Sequence, residues 1–284
     1  MMKSALSKTQ IDRLGERLKG GSHTESDLRL LDDYRRSFGE AYEAVVQTIR
    51  QHGEFPTGRL AKSTLSIAEK LRRESIRLSQ MQDIAGCRVV VADVVQQELF
   101  VASLRTIFPG AAVIDRRDKP SYGYRAVHII VEVSGKPVEI QVRTALQHLW
   151  AELSEKSSDV LDPTIKYGGG TAEWRTILTR SSVVVAAYEE FEATASKAVA
   201  VYEVRVAAHE KLKKRAAELL EHHLSDHKVQ EIRGILEDGT HEMERAEQEE
   251  QARRGMMARA RNKIADFLTE AISWLDERRL KEQQ

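Results

Sequence analysis

Between positions 124 and 143 lie Tyr124, His128, Glu139, Gln141 and Arg143, side-chain types suited to moving protons, holding anions and stacking on flat groups. Their spacing decides whether they meet. Strand side chains alternate between the two faces of a sheet. In the run Tyr124 to Val133, residues Val127, Ile129, Val131 and Val133 share one face, and Tyr124, His128 and Glu132 lie on the other. In the run Pro137 to Arg143, Val138, Ile140 and Val142 alternate with Glu139, Gln141 and Arg143. Ser134-Gly135 reads as a two-residue hairpin turn. That turn sets Val133 opposite Lys136, Val131 opposite Val138, Ile129 opposite Ile140 and Val127 opposite Val142. His128 then faces Gln141 and lies diagonal to Glu139 and Arg143, at Cβ separations of about 5 Å opposite and about 7–8 Å diagonally. A slip of one residue would bury the charges and expose the valines, so the register is strongly specified. A half-solvated hairpin also alternates polar with apolar residues, but its outer face more often carries paired Lys, Thr and Glu. Here a phenol, an imidazole, a carboxylate, an amide and a guanidinium converge.

The elements around this hairpin follow from periodicity and breakers. Ser26 or Asp27 caps a helix running to about Gln51, which His52 to Gly58 ends. A second helix fits Ser63 to Leu78, with Leu65, Ile67, Leu71 and Ile76 as its apolar side. Cys87 to Val91 is short and β-branched, a buried strand. A helix from Val94 to Phe108 is closed by Pro109-Gly110, and a strand over Ala112 to Asp115 leads into a loop from Arg116 to Gly123. Thr144 caps a helix carrying Leu146, Leu149, Trp150 and Leu153. Strands and helices mixed with a hairpin predict an α+β fold, a mixed β-sheet flanked by helices.

The chain has 284 residues, 44 basic and 44 acidic, so any binding site for an anion must be local. Its one cysteine, Cys87, fits a reducing compartment. The N-terminus lacks the apolar core of a secretory signal, and no stretch approaches the ~20 apolar residues that span a bilayer. A cytoplasmic protein without membrane contact is expected. Residues 1–25 end in Gly20-Gly21-Ser22 and read as a flexible tail, 26–170 as the mixed domain, and 171–284 as a helical region.

Several segments, in order and spacing, resemble the synthetase domain of the RelA/SpoT family. They are Asp83 to Val90 (DIAGCRVV), Gly123 to His128 (GYRAVH) and Val138 to Thr144 (VEIQVRT), with a fainter match at Thr57-Gly58-Arg59, Lys62, Ser66-Ile67 and Lys70. The resemblance spans about residues 40 to 160. It implies a nucleotidyltransferase-like synthetase domain that moves the β,γ-pyrophosphate of ATP onto the 3′-hydroxyl of GDP or GTP. Such transfer requires a metal, positioned cations and acceptance of the hydroxyl proton. By resemblance, Asp83 would hold Mg²⁺, and Glu139 would join it or act as general base. Tyr124 would stack on the acceptor base, His128 would contact acceptor phosphates, and Gln141 and Arg143 would support the site. Arg59 and Arg88 would stack on adenine. Lys62 and Lys70, read as eight residues apart on one helix, would meet the ATP phosphates.

The sequence departs from the family pattern in places. Leu60 stands where arginine is usual, with Arg59 one position early. The usual Pro-Lys before the acceptor loop is Lys119-Pro120, and Ser154-Glu155-Lys156 stands for Glu-His-Lys. These changes spare Asp83 and Glu139 and leave the acceptor open between a guanosine nucleotide and the 3′ end of tRNA. A non-catalytic sensor or interaction protein on this fold is the third reading. Only His23 and His52 precede the synthetase motifs, too few for the His-Asp hydrolase domain of bifunctional relatives.

From Trp174 the sequence reads as long amphipathic helices broken near Gly234 and Gly239 and running on to Arg279. Val201, Val204, Ala208 and Leu212, then Leu219, Leu220 and Leu224, mark apolar faces, as do Ile264, Phe267, Leu268, Ile272, Trp274 and Leu275. Packing on the synthetase domain or pairing into a homo-oligomer is their expected role. His222, His223, His227 and His241 invite a metal reading, since His223 and His227 are four apart on a helix, but no carboxylate-rich catalytic pattern surrounds them. Arg253, Arg254, Arg259 and Arg261 read as a solvated basic face with RNA contact as the alternative.

Overall fold

The computed structural model describes residues 6–222 and 225–282, without the side chains of Arg59 and Glu282. The chain divides into two compact units, Met1–Ala151 and Glu152–Gln284.

In the first unit the strands are β1 (Thr57–Arg59), β2 (Ala85–Val91), β3 (Ala112–Asp115), β4 (Val127–Val133) and β5 (Lys136–Thr144). They form one mixed sheet in the order β1-β2-β5-β4-β3. The β2–β5 pair is parallel and the other three pairs are antiparallel. The hairpin has the register that alternation predicts: Val133 pairs with Lys136, Val131 with Val138, Ile129 with Ile140, His128 with Gln141 and Val127 with Val142. Its turn residues Ser134 and Gly135 have φ of +50° and +70°, as a twist-matched two-residue turn requires.

The apolar face of this sheet is the core. Ile129, Val131, Val138, Ile140 and Val142 are buried together with Cys87 and Val89 of β2. Helices α3 (Gly39–Gln51) and α5 (Val94–Ile107) pack on β2 and β5. They bring Val45, Val46 and Ile49, and Phe100, Val101 and Leu104, into the same cluster. Behind β5, the Gln97 amide donates to Val142 O (2.8 Å) and to Gln147 Oε1 (2.9 Å). Thr144 and Gln147 cap the start of α6 (Ala145–Val160) reciprocally, each backbone N–H bonding the other's side chain.

Three expectations change here. Residues 8–20 are not a tail. They form α1 (Lys8–Gly20), opened by a Ser7–Gln10 capping box and closed by Gly21 at φ +70°, and Ile11, Leu14 and Leu18 sit in the core. The diglycine is the helix's C-cap. The single helix expected to Gln51 is two, α2 (Glu25–Arg36) and α3, separated at Ser37 and Phe38. Asp27 accepts two bonds from Arg17 and caps α2 by way of Thr24, and these bonds hold its carboxyl well below the usual range. The helix after β1 is shorter than expected, α4 (Thr64–Arg73). Its apolar side is Ile67, Ala68 and Leu71, whereas Leu65 is exposed.

The second unit is built on α7 (Ala172–Leu220, 49 residues) and α8 (Asp226–Glu282, 57 residues), which pack on each other. The break falls before Asp226, and α8 runs through Gly234 and Gly239. Gly239 has a packing role, since a Cβ there would lie 3.1 Å from the His209 ring. Leu268 and Leu275 are buried, and Trp174 and Trp274 meet at 6.0 Å between centroids. Val201, Val204, Leu212 and Leu219, expected to be covered, are exposed. Arg253 and Arg254 both bond the Glu250 carboxylate, which offsets part of the positive charge of the basic cluster. Among the described residues there is no group of three metal-binding side chains, and no helix is long and apolar enough to cross a membrane. His223 and Leu224 lie outside the described residues.

Gly58 on β1 is pressed against β2, where a Cβ would come within 2.6 Å of Cys87 Cα and Gly86 O. Both obstacles are backbone and cannot swing aside. Gly58→Ala is therefore expected to lower stability by about 1–3 kcal/mol through overpacking, read as a reduced midpoint in urea unfolding.

Candidate active site

The polar face of the hairpin carries a closed circuit of hydrogen bonds. Arg143 Nη2 donates to Tyr124 Oη (2.9 Å) and to Gln141 Oε1 (2.9 Å). Along one branch Tyr124 Oη lies 2.9 Å from His128 Nε2, and His128 Nδ1 lies 2.9 Å from Glu139 Oε1. Along the other, Gln141 Nε2 donates to Glu139 Oε2 (2.7 Å). With His128 neutral and protonated on Nδ1, every bond in the circuit has a donor. Both branches begin at one guanidinium and end on the two oxygens of one carboxylate. The Arg143 guanidinium also lies over the Tyr124 ring at 5.0 Å, and the His128 ring meets Tyr124 edge-on at 5.6 Å.

Arg143 is buried, and its Nε and Nη1 meet no hydrogen-bond acceptor among the described residues. Burial without full satisfaction is costly; it leaves a guanidinium with spare donors beside the phenol.

At the head of β2, Asp83 holds two lysines. Lys62 Nζ lies 2.8 Å from Oδ2 and Lys70 Nζ 3.0 Å from Oδ1. Lys62 precedes α4 rather than sharing a helix with Lys70, and its backbone N–H bonds Ile84 O at 2.7 Å. The two amines thus reach one carboxylate from a loop and from a helix. The parallel β2–β5 register sets Gly86 beside Glu139 and Arg88 beside Gln141, which places Arg88 on the polar face.

Electrostatics couple the two clusters. Burial works to raise the Asp83 carboxyl, but the charges and bonds of Lys62 and Lys70 outweigh it and hold it below the usual range. Burial likewise opposes ionisation of Glu139, and the bonds from His128 and Gln141 overcome it. The Asp83 charge works against them. The Tyr124 phenol is pushed up, by burial first and then by the Glu139 charge, against the pull of Arg143 and Arg88.

Tyr124, His128, Glu139, Gln141 and Arg143 are therefore assembled as one network, with Asp83, Lys62 and Lys70 as a second. Arg59 pairs with Gly86 through its backbone on β1; its side chain lies outside the described residues. Tyr124 precedes β4 and enters from the loop, where its N–H bonds Ser121 O. Sequence reasoning missed the Gln97–Gln147 pair, because helical glutamines look like surface residues. It also missed Arg117, which bonds Asp115 and Gln97 and pairs with Glu98.

The fold and this polar face define an α+β domain built to hold a carboxylate, an imidazole and clustered cations together. Residues 58–158 match the family model described as a region found in RelA / SpoT proteins. That segment is a RelA/SpoT-type domain. An uncharacterized protein of Mycobacterium tuberculosis is 39% identical over 111 residues, 38% of this chain and 41% of that protein. A probable GTP diphosphokinase of Arabidopsis thaliana, described as chloroplastic, is 30% identical over 155 residues, 51% of this chain and 22% of that protein. The matched segments thus span less than half the length of these curated relatives. Among solved structures, small alarmone synthetase 1 from Bacillus subtilis bound to its product pppGpp is 26% identical. That match covers 62% of this chain and 100% of that one, with a TM-score of 0.45.

Cys87 lies on β2 between Gly86 and Arg88, in the core face. Burial and the nearby Glu139 charge push its thiol up to about 12. Since only the thiolate reacts readily, the native protein at pH 8 is expected to leave Cys87 unmodified by an aromatic disulfide reagent over hours. Denaturant should release one equivalent at once. Rapid native labelling would show that β2 does not pack as described.

Proposed function

We propose that this chain transfers the β,γ-pyrophosphate of ATP to the 3′-hydroxyl of GDP or GTP, making (p)ppGpp and AMP. The observation that carries the reading is the convergence of both hydrogen-bond branches on Glu139, with the lysine-held Asp83 in electrostatic reach. In the transfer the 3′-oxygen bonds to the β-phosphorus. The bond from that phosphorus to the oxygen bridging to the α-phosphorus breaks, and AMP leaves with that oxygen. The hydroxyl proton passes to Glu139, which its partners keep ionised and ready to accept. Substrate phosphates beside it add negative charge, which raises its proton affinity as the reaction begins. Lys62 and Lys70 exchange part of their hold on Asp83 for the ATP phosphates, and His128 and Arg143 stand on the acceptor side. Arg88 sits on the same polar face, and with Arg59 it is assigned to adenine by the family resemblance.

Magnesium takes one or two carboxylates and completes its shell with phosphate oxygens and water. Asp83 is half-buried, and each of its carboxylate oxygens has a lysine ammonium as ion-pair partner, Lys62 at 2.8 Å and Lys70 at 3.0 Å. A carboxylate that its lysines keep ionised, near enough to Glu139 for the two charges to feel each other, fits such an ion, which would spread charge on the transferred phosphates. Nucleotide substrates and a lone cysteine support a cytoplasmic setting.

The test is to incubate the protein and Mg²⁺ with ATP labelled at the γ-phosphate, offering GDP, GTP or tRNA. Label is expected in the guanosine nucleotide. Label in tRNA instead would replace the acceptor, and label in none would leave a non-catalytic protein on this fold. Glu139→Gln keeps the size of the side chain, removes its charge and its capacity to take a proton, and is expected to cut transfer by about 10²–10⁴-fold; near-normal turnover would remove Glu139 as the base.

A further inference from the structure

The seam between α7 and α8 is closed by large apolar side chains, among them Leu178 and Val185 of α7 and Leu268 and Leu275 of α8. Between Leu178 and Val185 stands Ser181, buried but small, its hydroxyl donating to Leu178 O at 3.1 Å. A serine at that level does not fill the space between two helices, and a hollow of about 360 Å³ opens there. Ile177 and Val184 line it from α7 and Phe267 from α8, with the fully buried Leu268 behind them. Val184 and Phe267 are 49% and 51% exposed, so the hollow is open to solvent.

Its size falls in the range of small-molecule sites, which are mostly apolar with a few placed polar groups. The placed groups here are two cations. Arg180 follows Ile177 by three positions and precedes Val184 by four, on one face of α7. Lys263 precedes Phe267 by four on α8. Both cations line the hollow and are exposed, and neither has a carboxylate partner among the described residues. No acidic side chain lines it either. Apolar walls with an unneutralised positive rim complement a small molecule whose apolar chain ends in an anion. We propose that this hollow binds a single-chain amphipathic carboxylate, a fatty-acid anion. The chain lies against Val184, Phe267 and Leu268, and Arg180 and Lys263 hold the carboxylate. The site lies wholly within the second unit and is independent of the transfer reading.

The experiment titrates the full chain with decanoate and with decanol by calorimetry, below the concentration at which either aggregates. Melting temperature and helix content are followed by circular dichroism. Decanoate is expected to bind one molecule per chain with a Kd of about 10–500 μM and to raise the melting temperature. Arg180→Gln combined with Lys263→Gln, both at exposed positions, should raise the Kd for decanoate by about 2–30-fold. The same double variant should leave the Kd for decanol unchanged. Val184→Trp fills the hollow from its open side and should weaken both ligands by about tenfold or more, with wild-type helix content. If wild type shows no saturable binding, or Val184→Trp binds as wild type does, the site falls. If the double variant binds decanoate as wild type does, the role of the cations falls and with it the choice of an anion. If an acidic amphipathic peptide binds at Val184 and decanoate does not, the face belongs to a protein partner and the proposal is overturned.

Discussion

The site depends on keeping a carboxylate charged where burial would neutralise it. Glu139 is surrounded by protein, and desolvation of an ionised carboxylate is the largest single penalty it faces. The hydrogen bonds of His128 and Gln141 meet that penalty, and each of those donors is oriented by a partner that traces back to Arg143. Asp83 solves the same problem differently, with two amines and no network. The contrast suits a division of labour. A carboxylate fixed by a closed circuit keeps its position, whereas one held by flexible lysines can exchange partners.

The sheet supplies the geometry that makes this arrangement affordable. Alternation puts Val127, Ile129, Val131, Val138, Ile140 and Val142 into the core, and the circuit, together with Ile130, on the opposite face. Gly86 occupies the β2 position next to Glu139, and a Cβ there would come within 3.0 Å of Glu139 O. Without a side chain at 86, β2 and β5 approach closely, and the carboxylate has no neighbour of its own row on that strand.

The hairpin was legible in the sequence because its period is two and its turn allows few alternatives. The register from Val127–Val142 to Val133–Lys136 follows from side-chain parity alone. The N-terminal helix was not legible: its diglycine reads as a linker, and Ile11, Leu14 and Leu18 are too few to announce a buried face before a partner is known. Lys62 and Lys70 could be associated by spacing, but their convergence on Asp83 depends on the chain bending between β1 and α4, which spacing does not encode. The exposed apolar residues of α7 failed for the opposite reason. A long helix paired with one neighbour buries one seam, so apolar spacing over its full length overstates what is covered.

The parallel pairing of β2 with β5 joins residues 85–91 to residues 138–144. The β4–β5 hairpin closes over two residues, whereas this contact must first bring together segments about half a hundred positions apart in the chain, an entropic delay that slows its formation. The circuit around Glu139 therefore joins residues close together in the chain, and the meeting of Glu139 with Asp83 joins residues far apart in it. Parting β2 from β5 would separate Glu139 from Asp83 and leave the His128–Glu139 pair on its own hairpin.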